Sequence, residues 1–455
     1  MINENKRTLD QTRLWIVITC VVLILAISIC VLFSCQTKKT LPKDEIRQKL
    51  AENDLSSYSY VADALFDSGI SVNKTKLKYV EDIYAAYYYK ELPPMGEFCE
   101  AIADLFLTEY YDVIDVTSKK AVTDAILRCY TRCSGDKYSD YFTAEEYAAY
   151  LGDISGSETK VGIGVLVTVN YLDNTIQVTA VLPGSAAEAA GVKRGDLVVG
   201  VDGERIEDLG AEALMGKMAG EVGTEVKVTV LRGDEELTLT AVRAQLSDIT
   251  VVHEMLDGNI AYIQVIQFKE TTFAQFKEAV DAVVAAGAQG IVFDMRNNPG
   301  GLLDSVVDVI DYIAPDGKRI ASYTMGKYDP TVFYSDDGHS LTDLPITVLC
   351  NGNTASAGEL FTAAMRDYGR DGTLNVSIVG EVTHKKGIMQ QSLTLSDGSG
   401  IKLTVAFYNP PCDINYDGVG VVPNCPVINE GESDDQLIKA IEEINRMLTE
   451  KGQGI

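Results

Sequence analysis

A short apolar run, Ile346-Thr-Val-Leu-Cys350, leads into Asn351-Gly-Asn-Thr-Ala-Ser-Ala-Gly-Glu359. Pro345 and Gly352 bound the run, the pattern of a buried strand entering a turn. A helical pattern follows, with Leu360, Phe361, Ala364 and Met365 on one face. Ser356 therefore sits at a strand-to-helix turn among small residues. Small neighbours let another backbone approach, and the first helical N–H groups point at whatever lies there. The ordinary use of such a position is an N-cap serine. A nucleophile there needs a base from elsewhere in the chain.

Around this stretch, strand and helix patterns alternate from about residue 246 onward, as in an α/β domain. Strands are expected at 260–265, 290–295, 319–324, 346–350 and 378–380, and helices at 273–286, 302–313, 357–368 and 434–448. Leu395-Ser-Asp-Gly-Ser-Gly400 carries the Asp-Gly signal of a hairpin. Residues 410–426 form a long loop rich in Pro, Asn and Gly.

Residues 158–245 change character. Short β patterns appear at 161–169, 175–181, 197–201, 225–231 and 236–242. Gly162-Ile-Gly-Val165, Gly184-Ser-Ala-Ala-Glu-Ala-Ala-Gly-Val192 and Gly195-Asp-Leu-Val-Val-Gly-Val-Asp-Gly203 together resemble a PDZ domain of the bacterial protease type. The resemblance implies that Gly162, Ile163, Gly164 and Val165 hold a peptide's terminal carboxylate. The strand after them would offer an edge for β-augmentation. Residues 41–157 read as amphipathic helices packed with aromatics, at 44–52, 73–89, 97–111, 119–132 and 144–151.

The 455-residue chain carries a net charge of -27, which argues against a nucleic-acid role, since that wants a basic face. Residues 14–34 contain no charge and match the roughly 20 residues of a bilayer-spanning helix. Lys6, Arg7 and Arg13 precede this run, so the positive-inside rule leaves residues after Lys38 outside the cytoplasm. The expectation is an uncleaved single-pass anchor in a bacterial cell membrane. The alternative is a lipoprotein signal, with Leu32-Phe-Ser-Cys35 as a loose lipobox and Cys35 as the lipidated residue. Cys412 and Cys425 flank a loop and are the best candidates for a disulfide in that location. The nine cysteines include no Cys-x-x-Cys pair, and the three histidines are scattered, so neither a metal site nor another cofactor is expected.

A serine hydroxyl is inert at neutral pH without a base. His253 lies in a strand pattern, His339 in a polar loop, and His384 beside Lys385-Lys-Gly387. A lysine serves if burial lowers its pKa from about 10.4 toward roughly 7–8. Lys386 lies between two strand patterns and precedes Gly387, a place from which a side chain can point inward. Lys385 is expected to face solvent. An amide at Gln390 is placed to orient the amine, and Ser–Lys pairs are a recognised variant of the triad logic.

Asp294-Met-Arg-Asn-Asn-Pro-Gly-Gly-Leu-Leu303, Asn351–359, Gly380-Glu-Val-Thr-His-Lys-Lys-Gly-Ile-Met-Gln390 and Leu395-Ser-Asp-Gly-Ser-Gly-Ile-Lys-Leu-Thr404 occur in this order after the PDZ-like segment. Together they resemble the C-terminal processing peptidases, also called tail-specific proteases. The resemblance implies a multidomain protein. An N-terminal transmembrane helix (1–40) would be followed by a helical domain (41–157), a β-rich PDZ domain (158–245) and an α/β peptidase core of crotonase-like type (246–455). It implies Ser356 as nucleophile, Lys386 as general base and Gln390 as the residue positioning the lysine. It also implies an oxyanion hole from the amides of Gly300 or Gly301 and Ala357, each donor contributing about 2.7–4 kcal/mol to the transition state.

The segment departs from the family pattern in three places. Asp371-Gly-Thr-Leu-Asn375 reads as an insertion, His384-Lys385 replaces a more usual Phe-Gly, and residues 409–426 diverge. The expected protein is an extracytoplasmic serine endopeptidase that takes protein or peptide substrates by their C-termini. Its helical region would cap the core and serve a homodimer or higher oligomer. The alternative is a catalytically silent PDZ scaffold on a peptidase fold.

Overall fold

The computed structural model describes residues 43–44 and 70–453, apart from 156–159, 171–173, 183, 247–248, 327, 337–340 and 430–432. The apolar run 14–34, Cys35, nearly all of the helix expected over 44–52 and the His339 loop lie outside the described residues. Among the described residues no helix is long and apolar enough to cross a membrane. The chain divides into two compact units. One ends at Phe142; the other comprises Tyr87–Tyr89 and Thr143–Ile455.

The first unit holds helices α1 (Lys74–Tyr87), α2 (Met95–Leu105), which runs into a π-helical turn at Phe106–Tyr110, and α3 (Lys119–Cys133). Ser118 caps α3 by accepting from Ala121 N. Tyr130 is the packing centre, edge to face with Tyr84 at 4.7 Å and with Phe98 at 4.8 Å. Cys99 and Cys129 are buried, and burial pushes the Cys99 thiol up to about 11.

The second unit opens with α4 (Ala144–Ser155) and continues into a β-rich domain. Residues 161–169, expected as one strand, form two. Strand β1 (Lys160–Gly162) stops and β2 (Val165–Asn170) restarts because Gly164, at φ 87°, turns the chain. Strands β3 (Thr175–Val181), β4 (Leu197–Val201), β5 (Glu225–Arg232) and β6 (Glu235–Val242) extend a sheet with β2 at its edge. Alternate residues of β3 and β5, Ile176, Val178, Val226, Val228 and Val230, point into one core. Helix α5 (Ala186–Ala190) and helix α6 (Ala211–Met218) close it. The short strand β7 (Ala244–Leu246) pairs with β1 and leads out of the domain.

The remaining chain builds a six-stranded sheet in the order β8 (Val251–Leu256), β9 (Ile260–Val265), β10 (Gly290–Asp294), β13 (Ile346–Cys350), β14 (Val376–Gly380) and β17 (Cys425–Pro426). Only the β8–β9 pair is antiparallel. Both faces are covered, which is why these strands read as unbroken apolar runs. Ile291, Phe293, Ile346 and Val348 face helices α7 (Thr272–Ala285), α8 (Leu303–Asp311) and α9 (Ala357–Asp371). Val292, Leu349 and Val379 face α10 (Asp435–Gln453) on the other side. Strands β11 (Arg319–Tyr323), β12 (Thr331–Tyr334), β15 (Ile388–Thr394) and β16 (Gly400–Asn409) form a second, antiparallel layer. The expected hairpin is the β15–β16 connection, closed by Leu395 N donating to Ser399 O at 2.8 Å.

The bridge expected between Cys412 and Cys425 is not formed; both are free thiols. Cys425 lies in β17 with its Sγ 3.4 Å from Ser377 Oγ, whereas exposed Cys412 donates its N–H to Asp367 at 3.1 Å. Different elements hold the two ends of the loop.

Phe293 is fully buried in the central strand, stacked on Phe276 at 5.5 Å and edge to face with Phe361 at 5.6 Å. Phe293→Ala should cost about 3–5 kcal/mol in chemical denaturation; a loss below about 1 kcal/mol would contradict this packing.

Candidate active site

Strands β10, β13 and β14 lie side by side and parallel, so three loops leave the same edge of the sheet. Ligand crevices of open α/β sheets form outside such carboxyl ends. The three loops carry Asn297-Asn-Pro-Gly-Gly301, Asn351-Gly-Asn-Thr-Ala-Ser356 and Glu381-Val-Thr-His-Lys-Lys-Gly387.

Ser356 stands at the N-terminus of α9 with φ 53° and ψ -118°, a backbone state that L residues adopt only under constraint. Its surroundings supply the constraint. Thr354 Oγ1 accepts from Asn351 N at 3.0 Å and donates to Met295 O at 2.8 Å. Ala355 N donates to Asn298 O at 2.9 Å, and Ser356 N donates to Glu359 Oε2 at 3.0 Å. Buried Asn298 aligns the glycine turn with the serine turn, since its Oδ1 also accepts from Gly300 N at 2.8 Å. Gly300 and Gly301 have φ values of 99° and 141°, and a Cβ on Gly300 would lie 2.6 Å from Ser356 Cβ. The Gly300 amide is thus engaged by Asn298, while Gly301 and Ala357 line the cavity in front of Ser356.

That cavity has a volume of about 530 Å³ and is also lined by Lys386, Gln390 and Tyr408. Phe268, Leu302, Ile388 and Met389, with Leu151 and Ile154 of α4, make its apolar wall. Lys386 is half-buried, whereas Lys385 is exposed and adopts φ 78°. The pairing of β15 with β16 shifts register between Met389 and Gln390, where Val405 of β16 is the extra residue and Gln390 pairs with Thr404. The Gln390 amide donates to Thr404 Oγ1 at 3.2 Å, so its carbonyl oxygen is the atom suited to accept from an amine. His253 and His384 are exposed, and neither lines this cavity.

Glu359, with no solvent exposure, joins the serine and lysine segments. Its Oε2 accepts from Ser356 N and from Lys386 N at 2.8 Å, and its Oε1 accepts from Lys385 N at 2.7 Å and from the Thr383 hydroxyl. The sequence signal for Glu359 is the Ser-x-x-Glu spacing of a capping box, which marks a helix start and not a bridge to the lysine segment. Sequence patterns likewise give no role to Thr354, Asn298, Thr404 and Tyr408. Burial pushes the Tyr408 hydroxyl well above its ordinary range, so it remains a neutral donor.

On the PDZ-like side, Ile163 O accepts from Ala187 N at 2.8 Å and Gly164 O from Leu182 N at 2.9 Å, which fixes the Gly162–165 turn against the domain. The β-rich domain meets the core through Arg194. Its guanidinium lies 3.9 Å from the centroid of the Tyr262 ring and pairs with Glu254 at 3.2 Å and Asp434 at 3.5 Å. Arg296 links Asp294 and Asp434 at 2.6 Å each. Burial alone would raise the Asp434 carboxyl, but Arg296 holds it below its ordinary value.

The sequence profile of peptidase family S41 matches residues 259–427, and that of the PDZ domain matches residues 153–231. The carboxyl-terminal-processing protease of Picosynechococcus sp. is 32% identical over 295 residues, which cover 64% of this chain and 69% of that protein. The carboxy-terminal processing protease CtpA of Bacillus subtilis is 31% identical over 296 residues, which cover 65% of this chain and 61% of that one. A solved structure described as an S41 protease of Bacteroides fragilis superposes with a TM-score of 0.52 at 16% identity, over 77% of this chain and 90% of that chain, a likeness of fold. The chain belongs to peptidase family S41, with a PDZ domain ahead of the peptidase core. It spans 61–62% of the length of several curated relatives that it matches.

Glu359→Gln would turn an amide NH₂ toward donors that now face a carboxylate oxygen. Labelling of Ser356 by a fluorophosphonate should slow by about 100-fold, as the serine and lysine segments lose their shared acceptor. Wild-type labelling by a folded Glu359→Gln protein would refute the bridging role.

Proposed function

We propose that this protein is an extracytoplasmic serine endopeptidase that uses Ser356 and Lys386 as a dyad. The observation that carries the reading is that Ser356, Lys386 and Gln390 wall one cavity while a single buried carboxylate binds the backbone of both dyad residues. In the reaction, neutral Lys386 Nζ takes the Ser356 Oγ proton as Oγ attacks the scissile carbonyl. Gly301 and Ala357 amides, at the edge of the same cavity, receive the developing oxyanion. The C–N bond then breaks, the lysine ammonium gives its proton to the leaving amine, and an acyl-serine ester remains. Water, deprotonated by the same lysine, hydrolyses that ester. Gln390 holds the amine in line through its amide oxygen. The apolar wall of the cavity favours an uncharged side chain next to the cut.

The substrate's C-terminal tail would add to edge strand β2, its carboxylate met by the Gly162, Ile163, Gly164 and Val165 turn. Residues 14–34 would anchor the chain in a bacterial cell membrane, with lipidation at Cys35 as the other route to the same surface. The six-stranded core with its flanking helices is read as crotonase-like, and the helical region as the site of a homodimer or higher oligomer.

Cleavage of casein should disappear in Ser356→Ala and Lys386→Ala and survive chelation by EDTA. Equal activity in wild type and both variants would end the dyad reading, and no activity in a folded, correctly located wild type would leave a PDZ scaffold. A tailed peptide should lose most of its advantage when its C-terminus is amidated. Unchanged cleavage would remove the PDZ domain from substrate recognition.

A further inference from the structure

All four backbone polar groups of Lys386 and Gly387 are held, and residues 408–417 supply most of the holders. Lys386 N donates to Glu359 Oε2, and Lys386 O accepts from the Tyr408 hydroxyl at 3.2 Å. Gly387 N donates to Asp417 Oδ1 at 3.0 Å, and Gly387 O accepts from Asn415 Nδ2 at 2.8 Å. Asn415 also stiffens the loop that carries it. Its Nδ2 donates to Tyr408 O and its Oδ1 accepts from Asp417 N, both at 2.7 Å. Tyr416, between the two, is buried, and its hydroxyl reaches the Ser356 carbonyl at 3.4 Å. The Tyr416 ring packs edge to face on Tyr408, with centroids 6.0 Å apart. The grip is close: a Cβ on Gly387 would stand 2.7 Å from Asp417 N and 2.8 Å from Asn415 Oδ1.

We propose that Asn415-Tyr416-Asp417 is a clamp that sets the lysine amine at the serine, with Asn415 and Asp417 as positioning residues. The inference rests on the Ser356–Lys386 reading. A lysine side chain has four rotatable bonds, so only a fixed backbone confines the reach of its amine. The clamp confines that backbone directly, and Tyr416 ties the same loop to the serine.

The test uses the full-length protein, measuring kcat and KM on casein, the rate of fluorophosphonate labelling, and the melting temperature. Asp417→Ala removes the acceptor for Gly387 N, and kcat should fall by about 30–100-fold with KM within about twofold. Asp417→Asn keeps that acceptor and should restore kcat to within about threefold of wild type. Asn415→Asp sets a carboxylate oxygen against Gly387 O and should lose at least as much as Asp417→Ala. Wild-type kcat in folded Asp417→Ala or Asn415→Asp overturns the clamp. So does an Asp417→Asn as impaired as the alanine variant, or a loss that only tracks the unfolded fraction. Failure of both damaging variants to fold also counts against it, because the loop is then structural. If Lys386→Ala labels as fast as wild type, the dyad reading itself fails. An inactive Lys386→Ala beside a fully active Asp417→Ala removes the clamp alone.

Discussion

The site depends on one buried carboxylate. Glu359 has no contact with solvent, and a carboxylate in that position is tolerable only if its lone pairs are met by donors. Three backbone amides and one hydroxyl meet them, and they come from two separate loops: Ser356 on one side, Thr383, Lys385 and Lys386 on the other. The cost of burying the charge is offset only when both loops are in place. Formation of the carboxylate's shell and the joining of the Ser356 and Lys386 segments are therefore one event. This also explains how two non-glycine residues, Ser356 and Lys385, persist at positive φ, since the backbone N–H of each is held by Glu359.

The sheet supplies the meeting point. Because β10, β13 and β14 are neighbours and parallel, their exit loops converge without a long excursion. Each loop is then stapled to the next: Asn298 to Gly300 and Ala355, Thr354 to Met295, Glu359 to Lys386. The glycine turn is pressed from two sides, Gly300 by the serine turn and Gly301 by the Phe268 backbone. On the opposite flank, Asn297 is held by Asn351 and Asn353 at 3.0 Å each, beside the Arg296–Asp434–Arg194 ion pairs that fasten the PDZ domain. One turn thus has the cavity lined by Ser356 and Lys386 on one side and the domain junction on the other.

Beyond this bridge, the lysine segment is held from the antiparallel layer. Gln390 lines the cavity beside a bulge at Val405 of β16, Thr404 of β16 fixes its amide, and Tyr408 at the far end of β16 holds the Lys386 carbonyl. The loop after β16 then closes on Gly387. The long connection 410–426, which in composition is only a polar loop, supplies the side-chain partners of Gly387, the neighbour of Lys386.

The sequence by itself determined the parallel core. Doubly covered strands must be continuous apolar runs, and those at 260–265, 290–294 and 346–350 are legible as such. It also determined the strand-to-helix turn at Ser356 and the contrast between exposed Lys385 and half-buried Lys386, because small residues and flanking strand patterns record burial locally. Only the tertiary structure decided what Glu359, Asn298, Thr404, Asn415 and Asp417 do. Their partners lie in other elements, and a carboxylate or amide looks the same in a sequence whether it faces water or a distant backbone N–H. The break at Gly164 and the separate fates of Cys412 and Cys425 were illegible for the same reason. Periodicity reports which face of an element is buried, whereas hydrogen bonds between remote segments exist only once packing has fixed their register.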